Sequence, residues 1–120
     1  MRIVIDLDGT ICPVKRADQS YASLSPLPGA VEAIRSLRAA SHYVIISTAR
    51  NMGTCQGNLG AVMKNIGRVT LDWLSQHGIE YDEIYFGKPN AHVYIDDRAI
   101  RFGSWSEITE ESLERAARDR

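Results

Sequence analysis

Apolar residues fall along the chain in short runs that end in polar groups. Residues 2–7 form a β-branched run closed by Asp8-Gly9, the pattern of a buried strand. "YVIISTAR" (43–50), "EIYFG" (83–87) and "HVYID" (92–96) repeat the pattern and predict three further strands. Residues 11–28 show no clear period and carry Pro13, Pro26 and Pro28, which reads as a loop or small flap. Pro28-Gly29 then precedes "AVEAIRSLRAA", where Val31, Ile34, Leu37 and Arg38 have the spacing of a helix with one apolar face. "NMGTCQGNLG" (51–60) reads as a loop, followed by a helix over about 61–77 with Val69, Trp73 and Leu74 turned inward. His77-Gly78 supplies its stop signal. A last helix is predicted from about Glu107 to Arg118. Strands alternating with helices predict a parallel sheet wound on both faces, in one α/β domain over 1–120 with 11–27 as a flap or minimal cap.

Composition narrows the classes. The 120 residues suit one core, with 44% apolar and 24% charged residues as in ordinary globular proteins. A net charge of −1 provides no long-range attraction for nucleic acid or an acidic membrane. Cys12 and Cys55 form no CxxC pair, which predicts two reduced thiols in a cytoplasmic protein. No apolar run approaches the roughly 20 residues that span a bilayer, and no signal peptide pattern opens the chain.

In a parallel α/β sheet, ligands bind at the carboxyl ends of the strands. There this chain places Asp6 and Asp8, then Ser47, Thr48 and Arg50, then Gly87-Lys88-Pro89, then Asp96, Asp97 and Arg98. A lone DxD pair is common at strand ends and turns. DxDGT, STAR, GKP and IDDR, each at a predicted strand end, form a far more specific set. Crowded carboxylates repel unless a cation or proton offsets them, and acidic oxygen ligands suit Mg²⁺ with waters and a substrate phosphate. Gly9 lets the backbone turn closely past a ligand, and Thr10 offers a hydroxyl. Ser47 should face the packing, opposite to Thr48. Arg50 and Arg98 can clamp an anion or pair with the acidic cluster, and both roles stay open. His42, His77 and His92 share no ligand spacing and read as structural; Trp105 is a packing or oligomer residue.

From Ile3 to about Gly103 these motifs resemble the haloacid dehalogenase (HAD) superfamily of aspartate-dependent phosphohydrolases. The resemblance implies a Rossmann-like three-layer sandwich with a central parallel sheet and minimal or no cap. It also implies a Mg²⁺-dependent phosphatase, with Asp6 as nucleophile and Asp8 as general acid/base. Thr48 matches the phosphate-binding hydroxyl, and Lys88 the lysine that steadies nucleophile and phosphoryl group. Asp96 and Asp97 match the acidic pair of the fourth motif, so the implied metal set is Asp6, Asp8, Asp97 and Asp96, with Asp97 the more direct ligand by that alignment. Gly9, Thr10, Ala49, Arg50, Asn51 and Arg98 are the candidate substrate contacts. The acid role requires a protonated Asp8, hence a pKa above about 3.9, which burial beside other carboxylates would favour.

"ISTARNM", "WLSQHGIEYDEIYFGKP" and "YIDDRAIR" resemble a narrower group, the small capless phosphatases of bacterial capsule and surface-polysaccharide biosynthesis. That implies a phosphorylated sugar or related metabolite as substrate. A phosphatase of nucleotides or nucleic-acid ends, and a non-catalytic domain that binds a phospho-ligand or protein, are the competing classes. The absence of a basic stripe disfavours nucleic acid. So short a flap leaves the site open, which invites a neighbouring subunit of a homo-oligomer to cover it.

Overall fold

The computed structural model describes residues 1–117 and divides the chain into two compact units, Met1–Asn90 and Ala91–Arg120. The sequence reading has one domain over the same length.

The first unit holds a three-stranded parallel sheet in the order β1 (Arg2–Asp6), β2 (Tyr43–Thr48), β3 (Glu83–Phe86). The expected α/β class with a parallel sheet is therefore present. Residue pairs Ile5 and Ile46, Ile46 and Ile84, and Thr48 and Phe86 lie in register, so the apolar positions of the three strands share one face. Val44, Ile46 and Leu7 on that side are completely buried. Parallel neighbours need crossovers, and right-handed crossovers that step the same way across a sheet lie on the same face. The opposite face agrees with this, because it leaves Val4, Tyr43 and Tyr85 exposed.

Helix α1 (Ala30–Ala39) supplies part of the covering layer. Ala30, Ile34 and Leu37 are its buried positions, while Glu32 in the first turn and Arg38 in the last complement the helix dipole. The predicted second helix is three pieces in a near-continuous run: α2 (Leu59–Val62), a π-helical turn (Met63–Gly67) and α3 (Arg68–Gln76). Asn58 caps the start by accepting the Ala61 N–H at 3.1 Å. A Cβ at Gly67 would lie 2.8 Å from Met63 Cε, so the π turn brings that side chain against bare backbone. Trp73 and Leu74 are buried as expected, and Thr70 joins them on the inner stripe. Gly78 at φ 67° ends the helix, and the Ile79 N–H bonds back to Leu74 O at 2.9 Å.

The 11–27 segment contains one 3₁₀ turn, Tyr21–Ser23. Trp73 Nε1 donates to Leu24 O at 2.7 Å and Leu27 N to Ile11 O at 2.8 Å, which ties the flap to the core.

One element differs from expectation. Residues 92–96 form no strand, and 91–100 are all exposed. Val93 and Ile95 have the alternation of a strand but lack a ladder among the described residues. The second unit instead contains a 3₁₀ turn, Trp105–Glu107, and α4 (Glu110–Ala117). Trp105 and Leu113 are buried, and Phe102 lies 5.2 Å from the Trp105 ring. Arg118, the expected end of the last helix, lies outside the described residues. Among the described residues no helix is long and apolar enough to cross a membrane.

Asp82 links the approach to β3 with its neighbour. It accepts the Val44 N–H at 2.8 Å and an Arg38 Nη2 bond at 3.2 Å, and these donors hold its carboxyl below the ordinary range, with Val44 the larger cause. A depressed folded pKa gives stability that is present above the unfolded value and lost as pH falls through the folded one. Asp82→Asn should therefore lower the thermal midpoint at pH 7. It should also flatten the fall in midpoint below about pH 4, as read by circular dichroism melts across pH.

Candidate active site

The three parallel strands end at one edge, and each delivers polar groups there. After β1 the chain turns at once. Leu7 O accepts the N–H groups of Thr10, Ile11 and Cys12, and Gly9 takes φ 91°, a left-handed conformation natural to glycine. This compact turn holds Asp8 beyond the strand end while Asp6 remains its last residue. After β3, Gly87 takes φ 103°, and a Cβ there would meet Leu59 Cδ2 at 2.8 Å. Any larger residue in this turn would be strained at that φ and would have to push the Leu59 side chain aside. The Lys88 N–H donates to Thr48 O at 3.1 Å, which fixes that turn to the end of β2.

Two ion pairs define the edge. Lys88 Nζ lies 3.2 Å from Asp6 Oδ1, joining the ends of β3 and β1. Arg50 donates through Nη2 to Asp8 Oδ1 at 2.7 Å and through Nε to Asp8 Oδ2 at 3.1 Å. Its Nη1 donates to Thr70 Oγ1 at 2.9 Å, and its guanidinium carbon lies 3.9 Å from the centre of the Tyr21 ring. Only 2% of the Arg50 side chain is exposed. Of the two roles left open for Arg50, pairing with an acid is the one observed, and its whole fork is turned away from solvent. The neighbour that touches Asp8 is thus a guanidinium, where crowding by other carboxylates was expected.

Two hydroxyls also sit differently from expectation. Thr48 is 1% exposed, and its Oγ1 accepts the Arg50 N–H at 3.0 Å, bracing the loop after β2 from inside. Ser47, expected in the packing, is half-buried and in register with Asp6. Alternation along the strand explains the exchange: Thr48 continues the buried face of Val44 and Ile46, whereas Ser47 shares the face of Asp6.

The remaining candidates divide between the units. Thr10 and Ala49 are half-buried, and Gly9 is exposed. Asn51 adopts φ 62° and accepts from Asn65 Nδ2 at 3.5 Å, tying the 51–60 loop to the π-helical turn. Asp96, Asp97 and Arg98 belong to the second unit. There the Arg98 N–H caps Asp96 at 2.8 Å, and Arg98 Nε lies 3.8 Å from Asp97, all three on the surface. Sequence reasoning passed over Tyr21, Cys12 and Thr70. Thr70 carried a readable signal, a polar residue on the stripe of Trp73 and Leu74, since buried hydroxyls need partners.

Among the described residues no three His, Cys, Asp or Glu side chains form a cage for a cation. Asp6 nevertheless fits Mg²⁺ by donor type, because that ion takes one or two carboxylates and completes its shell with waters and substrate phosphate, whereas both Asp8 oxygens are taken by Arg50.

With this geometry established, comparison with known proteins gives a family. No family model and no curated protein matches the chain. Among solved structures, an MCSG target from Vibrio cholerae matches at 33% identity and a TM-score of 0.85, over 96% of this chain and 94% of that one. The chain belongs to the same family as that Vibrio protein. A D,D-heptose 1,7-bisphosphate phosphatase from B. bronchiseptica, solved with magnesium and phosphate, matches at 24% identity and a TM-score of 0.49, over 77% of this chain and 53% of that one.

Two outcomes follow from the site. Burial pushes the Cys12 thiol up to about 12, with the Asp8 charge adding and Arg50 opposing. Thiolate is the reactive form, so at pH 8 a disulfide-exchange reagent should titrate one thiol per native chain quickly, the half-buried Cys55. Arg50→Met should lower unfolding free energy in urea by about 3 kcal/mol, the low end for breaking a buried pair, since Asp8 keeps some access to water.

Proposed function

We propose that the chain is a phosphatase for a small phosphorylated metabolite, acting through an aspartyl-phosphate on Asp6. The observation that carries this reading is the Asp6–Lys88 pair at 3.2 Å, next to the turn that holds Asp8, all at the carboxyl edge of a parallel sheet. The HAD-like order of motifs supports it. A phosphate dianion repels an approaching carboxylate, and fixed donors must offset the charge that builds up. Lys88 contributes one such charge, Ser47 a hydroxyl on the Asp6 face, and the turn after Asp8 its backbone. Bound Mg²⁺, held by Asp6, would screen the phosphate oxygens.

In the first step an Asp6 oxygen bonds to phosphorus as the bond to the leaving oxygen breaks, and Asp8 gives its proton to that oxygen. In the second, Asp8 takes a proton from water as the water oxygen bonds to phosphorus and the acyl–phosphate bond breaks. Asp6 and inorganic phosphate are released. Arg50 holds the plane of the Asp8 carboxyl group through both steps, and each Asp8 oxygen retains a lone pair for the proton. The polysaccharide-like motifs point to a sugar phosphate within this class.

A second reading has its own support. Arg50 occupies both Asp8 oxygens and Thr48 is buried, an arrangement that a non-catalytic domain binding a phospho-ligand could also use. Turnover of p-nitrophenyl phosphate separates the two. The phosphatase turns it over with Mg²⁺, stops with EDTA, and loses at least a thousandfold in kcat as Asp6→Asn or Asp8→Asn while keeping its melting curve. Wild-type protein that binds phosphosugars without any turnover would establish the binding domain instead. A panel of phosphorylated metabolites ranked by kcat/KM then assigns the substrate.

A further inference from the structure

The first unit has a groove that contains none of the carboxyl-edge residues. It holds about 360 Å³ between the flap and α3, at the lower end for small-molecule pockets. Ala22, in the 3₁₀ turn of the flap, forms one wall. The other wall is α3, where half-buried Val69 and buried Trp73 make an apolar base and Arg68 and Asp72 are exposed.

Arg68 and Asp72 carry opposite charges four residues apart, the spacing of an ion pair on a helix. They nevertheless form no ion pair, and neither side chain has a hydrogen-bond or ionic partner among the described residues. Helix support does not account for them either, because a base N-terminal to an acid is the weaker order at this spacing. Both charges therefore line the groove unmatched. A simple anion there would face Asp72, and a simple cation would face Arg68. A molecule with both charges answers both.

We propose that this groove binds a small zwitterion with an apolar body, the chemistry of a free α-amino acid with an apolar side chain. Arg68 takes the carboxylate, for which its planar fork is suited. Asp72 takes the ammonium, one turn further along the helix at a rise of about 6 Å. The apolar body lies along Val69, Trp73 and Ala22. Such a ligand bridges the flap turn and α3. These two elements also grip Arg50, through the Tyr21 ring and the Thr70 hydroxyl, so occupancy fastens the elements that hold Asp8 in place. A ligand that binds only the folded chain also raises its stability by mass action.

Calorimetric titration of the full chain with L-phenylalanine tests this. Two truncated compounds accompany it: 3-phenylpropanoate, which lacks the ammonium, and 2-phenylethylamine, which lacks the carboxylate. L-Phenylalanine should bind saturably with a Kd below about 1 mM and raise the melting midpoint. Each truncated compound should bind at least about tenfold more weakly, since each loses a charged hydrogen bond. Arg68→Gln and Asp72→Asn should keep the unliganded melting curve, and each should weaken L-phenylalanine by a similar factor. No saturable binding by about 10 mM overturns the proposal, as does a truncated compound that binds as tightly as L-phenylalanine. So does binding that both variants leave intact. The truncated compounds are read on the wild-type chain, so they decide the charge requirement even where a variant fails to fold.

Discussion

Arg50 places its guanidinium where water barely reaches, and the sheet edge is organised around giving it partners. Asp8 supplies the counter-charge through two hydrogen bonds, and Thr70 takes the remaining nitrogen. Tyr21 closes over the top, and Cys12 places its sulfur 3.7 Å from the guanidinium. One side chain thus joins the turn after β1, the end of β2, the flap and α3. Removing one partner of a buried pair costs far more than the pair contributes net, so these four segments are held together largely against the penalty of separating them.

That constraint explains the division of labour at the edge. Asp8 is fixed from behind by a buried cation, whereas Asp6 faces the partly exposed ammonium of Lys88. On the proposed phosphatase reading, the carboxylate that attacks must be reachable, and the one that passes protons must be oriented. The Thr48 hydroxyl serves the fixed side by bonding the Arg50 backbone, which leaves Ser47 on the face of Asp6. Fold likeness across nearly the whole chain gives kinship with the Vibrio protein, but the chemistry is argued from these residues, because one fold carries many activities.

Much of this was legible in the sequence. β1, β2 and β3 follow from apolar runs bounded by turns, and α1 and α3 from their inner stripes, because each pattern reports burial that local periodicity can encode. The carboxyl-edge cluster of Asp6, Asp8, Arg50 and Lys88 followed from that topology. Three features did not. "HVYID" has a strand's alternation, but alternation encodes which faces are apolar and not which edge a strand will find. The π turn at Met63–Gly67 seats the Met63 side chain against Gly67, a contact that no period reveals. The parity of Ser47 and Thr48 was misjudged, since the motif was matched by type while register decides which hydroxyl shares a face with Asp6.

The central claim is that Asp6 itself accepts phosphorus. Acid-quenching the protein during the proposed phosphatase turnover and reducing the acyl phosphate with borohydride converts a phosphorylated aspartate to homoserine, which peptide mass spectrometry can place. The account predicts homoserine at position 6. Active enzyme that yields the conversion at another aspartate, or none under conditions that trap acyl phosphates in a control, would contradict it.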